Sequence, residues 1–303
     1  MGDKWLISIV GPTGIGKTAL AIKLAQYFDT EIISADSRQF FKEMVIGTAV
    51  PSSEELGAAK HHFIQNISIF DEYSVGDFER DTISLLHNLF QERDIVIMVG
   101  GSGLYIDAIT KGLDKFPVVD PNIRAQLNKL MEDEGISVLQ KKLSVLDPDY
   151  YAKVDIENPH RLIRALEICL GTGKSFSSFL NQDKVQREFK TLSFGIDAER
   201  TVIYDRINQR VDQMVAAGLL EEARTLEQHK ALNALQTVGY RELFKYFEGD
   251  WTLDFAISEI KKNTRRFAKR QLTWFKKNEA IIWVDYQTDI QTVVEKINQK
   301  IKS

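Results

Sequence analysis

The sequence predicts an α/β protein in which a parallel β-sheet is flanked by helices and carries a helical insertion. Short apolar runs typical of buried strands alternate with amphipathic helices in the first part of the chain and again in the last part. Between these parts, only amphipathic helical patterns occur, separated by Gly and Asp-Pro breaks. We therefore expect a core domain formed by residues 1–113 and 191–303, and a helical insertion domain formed by residues 114–190.

The composition is that of an ordinary globular protein, with 44% hydrophobic and 27% charged residues and a net charge of −4. No apolar run approaches the roughly 20 residues that span a bilayer, and the N-terminus lacks the basic region of a signal peptide. Cys169 is the only cysteine, so an intrachain disulfide and a zinc-finger framework are excluded. These features predict a cytoplasmic protein that does not enter a membrane. We expect a monomer, because no long heptad pattern or obvious pairing edge is present.

A glycine-rich segment follows the first predicted strand, residues 6–10, and opens the first predicted helix, residues 18–25. It has the pattern Gly, four residues, Gly-Lys-Thr, and consists of Gly11, Pro12, Thr13, Gly14, Ile15, Gly16, Lys17 and Thr18. Glycines let a backbone wrap closely around an anion, and the first N–H groups of a helix point toward it. Lys17 adds a positive charge, and the Thr18 hydroxyl is placed to hold Mg²⁺. The segment predicts a polyphosphate site on a P-loop NTPase-like sheet, without saying which polyphosphate.

A polar loop follows the second predicted strand, residues 31–34. Ligands of open α/β sheets bind outside the carboxyl ends of the strands, so this loop should lie beside the glycine-rich segment. Asp36 is therefore a candidate catalytic base or an outer ligand of Mg²⁺. The competing interpretation is that Asp36 or Ser37 only caps the next turn. The spacing alone favours neither.

The strand predicted at residues 94–99 ends in Gly100, Gly101, Ser102 and Gly103. In hydrolysing P-loop ATPases, a strand of this kind usually carries an acid that supports Mg²⁺ and water. The absence of that acid argues against a motor or switch NTPase. We expect the glycines to let a second substrate approach the backbone closely.

The neighbouring histidines His61 and His62 resemble metal ligands at first sight. Side chains of adjacent strand residues diverge, and no Cys, Glu or third His lies at ligand spacing. We therefore expect both histidines to form structural hydrogen bonds.

The last predicted helix of the insertion, residues 159–170, has a basic face. Arg161 and Arg164 lie three residues apart on it, and His160 precedes them. Such a face can contact phosphates or simply be solvated, and both interpretations stay open.

The most unusual segment is residues 261–277, in which eight residues are basic, none is acidic and aromatic side chains lie between the charges. In a protein of net negative charge, this pattern predicts a local polyanion site on one helix. A solvated helix normally mixes acids with its bases, so simple solvation is the weaker interpretation. An earlier helix, predicted to begin near residue 199, carries Arg206, Arg210 and Met214 on one stripe.

A polyphosphate site without a hydrolytic acid and a basic helix suited to nucleic acid favour an enzyme that transfers the organic group of a small pyrophosphate ester to an RNA. Eight segments carry a family resemblance: Gly11-Pro12-Thr13, Gly16-Lys17-Thr18, Ile33-Ser34-Ala35-Asp36-Ser37, Ile46-Gly47-Thr48, Gly100-Gly101-Ser102-Gly103-Leu104-Tyr105, Arg164-Ala165-Leu166-Glu167, Gly239-Tyr240-Arg241-Glu242 and Ala268-Lys269-Arg270-Gln271-Leu272-Thr273-Trp274. They resemble the motifs of the tRNA isopentenyltransferase (tRNA dimethylallyltransferase) family over nearly the whole chain. The last segment is far more specific than the glycine-rich one.

The resemblance implies that dimethylallyl diphosphate binds with its diphosphate on residues 13–18 and that Thr18 holds Mg²⁺. The N6 amine of adenosine 37, beside the anticodon of tRNA, would attack the allylic carbon, with Asp36 as general base. Lys17, Thr18 and backbone N–H groups would stabilise the leaving diphosphate. Arg210 matches a family arginine near the diphosphate.

The resemblance also implies that the target nucleotide leaves the anticodon stack and enters a channel, and that the insertion domain contacts tRNA. The implied tRNA-binding residues are Asp36, Ser37, Arg38, Gln39, Ser102, Arg124, His160, Arg161, Leu162, Ile163 and Arg164. To these the basic segment adds Arg266, Lys269 and Arg270.

Two other classes of protein remain open. In a small-molecule or nucleoside kinase, ATP would occupy the glycine-rich segment and Asp36 would activate an acceptor hydroxyl, but the basic segment would have no role. In a non-catalytic, nucleotide-gated RNA-binding protein, Asp36 would be dispensable.

Overall fold

The computed structural model describes residues 3–180 and 186–302. The chain forms two compact units, one of Met1–Thr110 with Arg187–Ser303 and one of Lys111–Gln186. The first unit contains the β-sheet, and the second is helical in its described residues. The helical unit is therefore inserted in sequence between two halves of the sheet-containing unit, with boundaries a few residues before the predicted ones.

The described residues form six strands and thirteen α-helices. The strands are β1 (Trp5–Val10), β2 (Ile32–Ser34), β3 (His61–His62), β4 (Ile95–Gly100), β5 (Lys190–Asp197) and β6 (Ile282–Asp285). The helices are α1 (Lys17–Tyr27), α2 (Ser53–Ala58), α3 (Val75–Glu92), α4 (Gly103–Lys111), α5 (Pro121–Glu134), α6 (Ile136–Leu146), α7 (Pro148–Tyr151), α8 (Pro159–Thr172), α9 (Arg200–Ala216), α10 (Leu219–Leu226), α11 (Tyr240–Phe247), α12 (Leu253–Phe275) and α13 (Ile290–Lys302).

The six strands form one parallel sheet in the order β3-β2-β4-β1-β5-β6, which confirms the predicted fold class. Every residue of the central strand β1 is buried, as expected where helices cover both faces of a parallel sheet. Strands β2, β4 and β1 are neighbours and run in the same direction. The loops that follow these three strands therefore lie at one edge of the sheet.

The side chains of β1 alternate between two apolar cores on opposite faces of the sheet. Ile7 belongs to the core that includes α1, α9 and α13, and Leu6 belongs to the core that includes α3 and α4. A third core joins α10, α11 and α12. Helix α12 contributes to all three cores through Ile260, Ala268 and Phe275. Packing in three cores fixes the position of the predicted basic helix within this unit.

The helical unit has a core of its own, formed mainly by α5, α6 and α8. Three of its helices begin with Pro in the first turn and a polar side chain at the N-cap: Asp120 for α5, Asp147 for α7 and Asn158 for α8. These caps explain why α5, α7 and α8 begin where they do, and α8 begins at the predicted residue.

The two histidines of β3 make structural hydrogen bonds, as predicted. Nε2 of His62 lies 2.6 Å from Oε2 of Glu31, and Nδ1 of His61 lies 2.8 Å from the carbonyl oxygen of Ala59. Among the described residues, no group of three or more His, Cys, Asp or Glu residues is arranged to hold a metal ion. No helix in the described ranges is both long and apolar enough to cross a membrane.

Candidate active site

The glycine-rich loop between β1 and α1 presents a cluster of unused backbone donors. Gly16, at the N-cap of α1, has φ +107°, a conformation that other residues rarely adopt. The N–H groups of Gly14, Ile15 and Gly16 form no hydrogen bond with any described residue. The first N–H groups of α1 also lack intrahelical partners, and the positive end of the helix dipole lies behind them. The loop geometry suits an anion with several oxygen atoms.

The side chain of Lys17 is held by a backbone carbonyl group of this loop. Its Nζ donates to the carbonyl oxygen of Pro12 at 2.8 Å. Burial lowers the pKa of Lys17 to about 8, while the Asp36 carboxylate raises it and the Arg210 guanidinium lowers it. The ammonium therefore lies in the electrostatic field of both groups. An anion bound at the loop would favour the charged form of Lys17.

Arg210, on α9, is a second cation that the described part of the chain leaves available. Its guanidinium forms no hydrogen bond or ion pair with a described residue. Burial lowers the pKa of Arg210, and the carboxylates of Asp36 and Glu55 raise it. A desolvated guanidinium without a bonded partner is placed to bind an anionic ligand.

Asp36 follows β2 and lies among these cations. Its Oδ1 accepts a hydrogen bond from the backbone N–H of Arg38 at 3.2 Å, which is the geometry of a turn cap. Its Oδ2 accepts no hydrogen bond from the described residues. The capping interpretation and the catalytic one are therefore compatible, because one oxygen orients the carboxylate and the other is left for a ligand.

Ser37 and Ser102 meet at the carboxyl ends of β2 and β4. The backbone N–H of Ser37 donates to Oγ of Ser102 at 3.2 Å, and the two hydroxyl oxygens are also 3.2 Å apart. Two residues that lie far apart in the sequence thus form one polar pair beside Asp36, because the parallel strands that carry them are adjacent.

The prediction that Gln39 contacts tRNA is wrong for its side chain. Its amide is buried, and Nε2 donates to the carbonyl oxygens of Thr48 and Ala49 at 3.3 and 2.8 Å. Nη1 of Arg38 likewise donates to two carbonyl oxygens, those of residues 233 and 234, at 3.0 Å each. Both side chains hold the Asp36 turn against neighbouring loops.

The expectation that the glycines after β4 leave room for a second substrate is also wrong. A Cβ atom on Gly100 would lie 2.5 Å from the carbonyl oxygen of Ala35. On Gly101 it would lie 2.1 Å from Nε2 of Gln271, and on Gly103 it would contact a ring of α12, that of Trp274. These glycines admit neighbouring parts of the protein, so that β2 and α12 pack closely against the strand end.

Gln271 is a site residue that motif reasoning missed. Its side chain, 5% exposed, accepts a hydrogen bond from the backbone N–H of Thr13 at 2.8 Å and donates one to the carbonyl oxygen of Gly101 at 3.0 Å. It therefore ties α12 to both the glycine-rich loop and the end of β4. The available signal was a neutral amide inside a strongly basic segment.

Arg206 was also missed as a partner of the loop. Its Nε donates to the carbonyl oxygen of Gly14 at 2.9 Å, one helical turn before Arg210. The stripe that the sequence predicts on this helix therefore has two roles, because one arginine binds the loop backbone and the next is left for a ligand.

The basic residues of α12 and its C-terminal cap divide into paired and unpaired groups. Lys261 pairs with Asp212 at 2.6 Å, and Lys276 pairs with Asp197 at 2.7 Å. Three predicted tRNA-binding residues are exposed and pair with no carboxylate among the described residues; we call them the exposed basic face: Arg266, Lys269 and Arg270. Two exposed aromatic rings lie on the same helix, those of Phe267 and Trp274.

In the helical unit, some of the residues predicted to contact tRNA are not at the surface. Leu162 is fully buried and Ile163 is 4% exposed, and both belong to the core of that unit, so neither side chain is available for RNA. Arg124 and Arg164 both bind the carboxylate of Glu167, at 2.7 and 3.0 Å. Burial raises the pKa of Glu167, but the hydrogen bonds and charges of the two arginines together lower it by more, so that the net shift is downward.

His160 and Arg161 are exposed at the start of α8. The resemblance implied that all of residues 160–164 contact tRNA, but this range contains both exposed residues and core residues. A helix turns about 100° per residue, so a continuous run of five residues cannot lie on one face.

The fold and the site define a P-loop-like α/β protein in which two half-buried cations and one carboxylate lie beside a glycine-rich loop, with a basic helix tied to that loop. The chain belongs to the IPP transferase family, whose model matches residues 39–278. It is 62% identical over 301 residues to the tRNA dimethylallyltransferase of Christiangramia forsetii, covering 99% of this chain and all of that relative.

Two solved structures are also similar. The tRNA isopentenylpyrophosphate transferase of Bacillus halodurans is 36% identical with a TM-score of 0.74, covering 99% of this chain and 97% of that one. A eukaryotic dimethylallyltransferase acting on tRNA is 27% identical with a TM-score of 0.79, covering 98% of this chain and 77% of that one. The predicted family is confirmed by these similarities.

Proposed function

We propose that this chain transfers the dimethylallyl group of dimethylallyl diphosphate to N6 of adenosine 37 in the anticodon loop of tRNA and releases diphosphate. The relatives named above support the reaction class. The observation that carries the assignment to this site is the grouping of the Asp36 carboxylate with Lys17 and Arg210 beside the glycine-rich loop. Such a grouping provides a carboxylate that can act as a base and two cations that can bind an anionic leaving group.

The diphosphate would bind the free N–H groups of the loop, with Lys17 and Arg210 on its oxygens. Negative charge grows on the diphosphate as the bond from the allylic carbon to oxygen breaks. Cations and N–H groups already in position stabilise that charge without reorganising. Lys17 and Arg210 therefore act as electrostatic catalysts in this proposal.

A magnesium ion fits the loop only as a partner of the substrate. The Thr18 hydroxyl forms no hydrogen bond with a described residue, and the described part of the chain offers no cluster of carboxylates for a protein-only cage. Mg²⁺ is commonly held by one or two protein oxygens together with phosphate oxygens and water. When bound, it would neutralise part of the diphosphate charge, with Thr18 as its protein ligand.

Asp36 would accept the proton of the attacking amine. The lone pair of the adenine N6 amine is delocalised into the ring, so the amine is a poor nucleophile until it loses its proton. As the bond from N6 to carbon forms, the proton would pass to Oδ2 of Asp36, the oxygen without a partner among the described residues. Ser37 and Ser102 lie beside this carboxylate and would contact the target nucleotide.

The exposed basic face of α12 would bind the phosphates of the anticodon stem-loop. Its three cations have no carboxylate partner among the described residues, so binding RNA would cost them no ion pair. Because Gln271 ties the same helix to the loop, RNA held on this face lies near the diphosphate site. His160, Arg161, Arg164 and Arg124 would add contacts from the helical unit. We place the reaction in the cytoplasm and expect the protein to act as a monomer.

Incubation with labelled dimethylallyl diphosphate, Mg²⁺ and unmodified tRNA tests the proposal. We expect the label in tRNA at adenosine 37 and equimolar release of diphosphate. A kinase would instead transfer phosphate from labelled ATP and leave the tRNA unlabelled. A non-catalytic RNA-binding protein would bind tRNA and transfer neither label, and either of these results would refute the proposal.

A further inference from the structure

Glu222, on α10, has an unusual set of partners that the proposed chemistry does not use. Its Oε2 accepts hydrogen bonds from the backbone N–H groups of Val45 and Ile46 at 2.9 and 2.8 Å. Its Oε1 accepts from the N–H of Gly47 at 2.9 Å and from the hydroxyl of Tyr240 at 2.6 Å. Four donors thus converge on one carboxylate, and charge-assisted bonds of this kind are about twice as strong as neutral ones.

Gly47, in the loop that Glu222 holds, packs so closely against a buried ring that no side chain would fit there. A Cβ atom on Gly47 would be 2.6 Å from ring atoms of Tyr240, which is itself fully buried. Burial and the Glu222 carboxylate raise the pKa of Tyr240, so its hydroxyl remains a donor. Glu222 binds the backbone N–H groups of residues 45–47, and Tyr240 packs against the glycine of this loop. Together the two side chains fix the position of the loop.

This loop is connected to Asp36 by one further residue. The carbonyl oxygens of Thr48 and Ala49 accept hydrogen bonds from the Gln39 amide. Gln39 closes the turn that begins at Asp36, because its backbone N–H donates to the Asp36 carbonyl oxygen at 3.0 Å. A continuous series of hydrogen bonds therefore runs from Glu222 through the loop and Gln39 to the turn that carries Asp36.

We propose that Glu222 is a positioning residue for Asp36, acting through residues 45–49 and Gln39. The inference rests on the proposed role of Asp36 as a general base. Glu222 lies outside the anion loop and touches neither Lys17 nor Arg210 in the described contacts. Its effect should therefore fall on proton transfer rather than on diphosphate binding.

The Glu222→Gln variant tests the proposal with little change of volume. The new amide nitrogen accepts no hydrogen bond, so in either orientation of the amide at least one backbone N–H of the loop loses its acceptor and faces another donor. We expect kcat to fall at least about tenfold, since small misplacements of a reacting group are costly, while KM for dimethylallyl diphosphate stays unchanged. Glu221→Gln is the matched control, because Glu221 is exposed and forms no hydrogen bond or ion pair with a described residue.

Combining the substitution with Asp36→Ala decides whether Glu222 acts through Asp36. We expect Glu222→Gln to cause no further loss of kcat in the Asp36→Ala background, because the group that it positions is gone. Equal losses in both backgrounds, or a raised KM for dimethylallyl diphosphate with unchanged kcat, would overturn the inference and leave the role of Asp36 intact. Wild-type activity of Asp36→Ala alone would instead refute the base assignment, and the inference with it.

A second variant covers the case in which Glu222→Gln does not fold. Gln39→Ala breaks the same series at its other end and leaves Glu222 and its four donors untouched. We expect the same fall in kcat at constant KM, again absent in the Asp36→Ala background. A Gln39→Ala variant with the activity of the wild type would show that the series does not hold Asp36.

Discussion

The bridge made by Gln271 supplies the sharpest test of how this site is built. Replacing Gln271 by Leu keeps a side chain of similar size but removes both its donor and its acceptor. The carbonyl oxygen of Gly101, which is buried, and the backbone N–H of Thr13, which is partly buried, then lose their partner. The substitution therefore separates the hydrogen bonds of the bridge from its packing.

The magnitude follows from the two orphaned groups. Each buried donor or acceptor left without a partner costs about 1–3 kcal/mol. The added apolar surface of Leu returns about 1–2 kcal/mol of that loss. Two orphaned groups cost about 4 kcal/mol at the middle of this range, so after the return from Leu we expect the free energy of unfolding to fall by about 2.5 kcal/mol. The loop should also bind diphosphate more weakly, because Thr13 directly precedes the free N–H groups of Gly14, Ile15 and Gly16 and its bond to Gln271 fixes the start of that run.

Urea unfolding followed by tryptophan fluorescence measures the first effect. All four tryptophans lie in the sheet-containing unit, so the signal reports on the unit that holds the bridge: Trp5, Trp251, Trp274 and Trp283. Titration with inorganic diphosphate measures the second effect. Gln209→Leu is the matched control, since Gln209 is exposed on α9 and should change stability by less than about 0.5 kcal/mol.

The reasoning would be refuted if the Gln271→Leu variant unfolded within about 0.5 kcal/mol of the wild type, the usual range for neutral surface changes. It would also be refuted if stability fell but diphosphate affinity stayed the same. In that case the bridge would stabilise the packing of α12 without shaping the loop. tRNA affinity should be unchanged in either case, because the exposed basic face remains.

Four further predictions concern Asp36, the exposed basic face and Lys17. Asp36→Ala should lower the transfer rate at least about a hundredfold while tRNA still binds in a filter assay; a near wild-type rate would mean that the carboxylate only orients the turn. Alanine at all three positions of the exposed basic face should weaken tRNA binding and flatten its salt dependence, whereas Lys261→Ala, which removes a paired cation, should leave the salt slope nearly unchanged. Because burial lowers the Lys17 pKa from 10.5 to about 8, the unfolded chain binds more protons between those pH values, so the free energy of unfolding should rise with pH across that window and lose this rise in Lys17→Met. In the same window diphosphate affinity should fall as the ammonium is lost, and Lys17→Arg should remove that pH dependence.

Local patterns in the sequence were enough to locate the candidate site of this protein. The glycine-rich loop, the polar turn at Asp36 and the basic segment are each continuous stretches, and each is defined by residue type and spacing. A parallel sheet then brings the ends of its neighbouring strands to one edge, which is why the Asp36 loop could be expected beside the glycine-rich loop. The family resemblance added Arg210, whose position among the same charges fits that expectation.

The tertiary structure alone decided which of the named side chains are free. Gln271 and Thr13 are 258 residues apart along the chain, and Glu222 and Val45 are 177 apart. No periodicity or motif encodes hydrogen bonds over such separations, because they depend on how α10 and α12 pack against the loops. For the same reason, Leu162 and Ile163 proved to be core residues, and Gln39 proved to be bound to backbone carbonyls. Sequence patterns specify which groups are present and on which element, but only packing decides which of them keep an unpaired donor, acceptor or charge for a ligand.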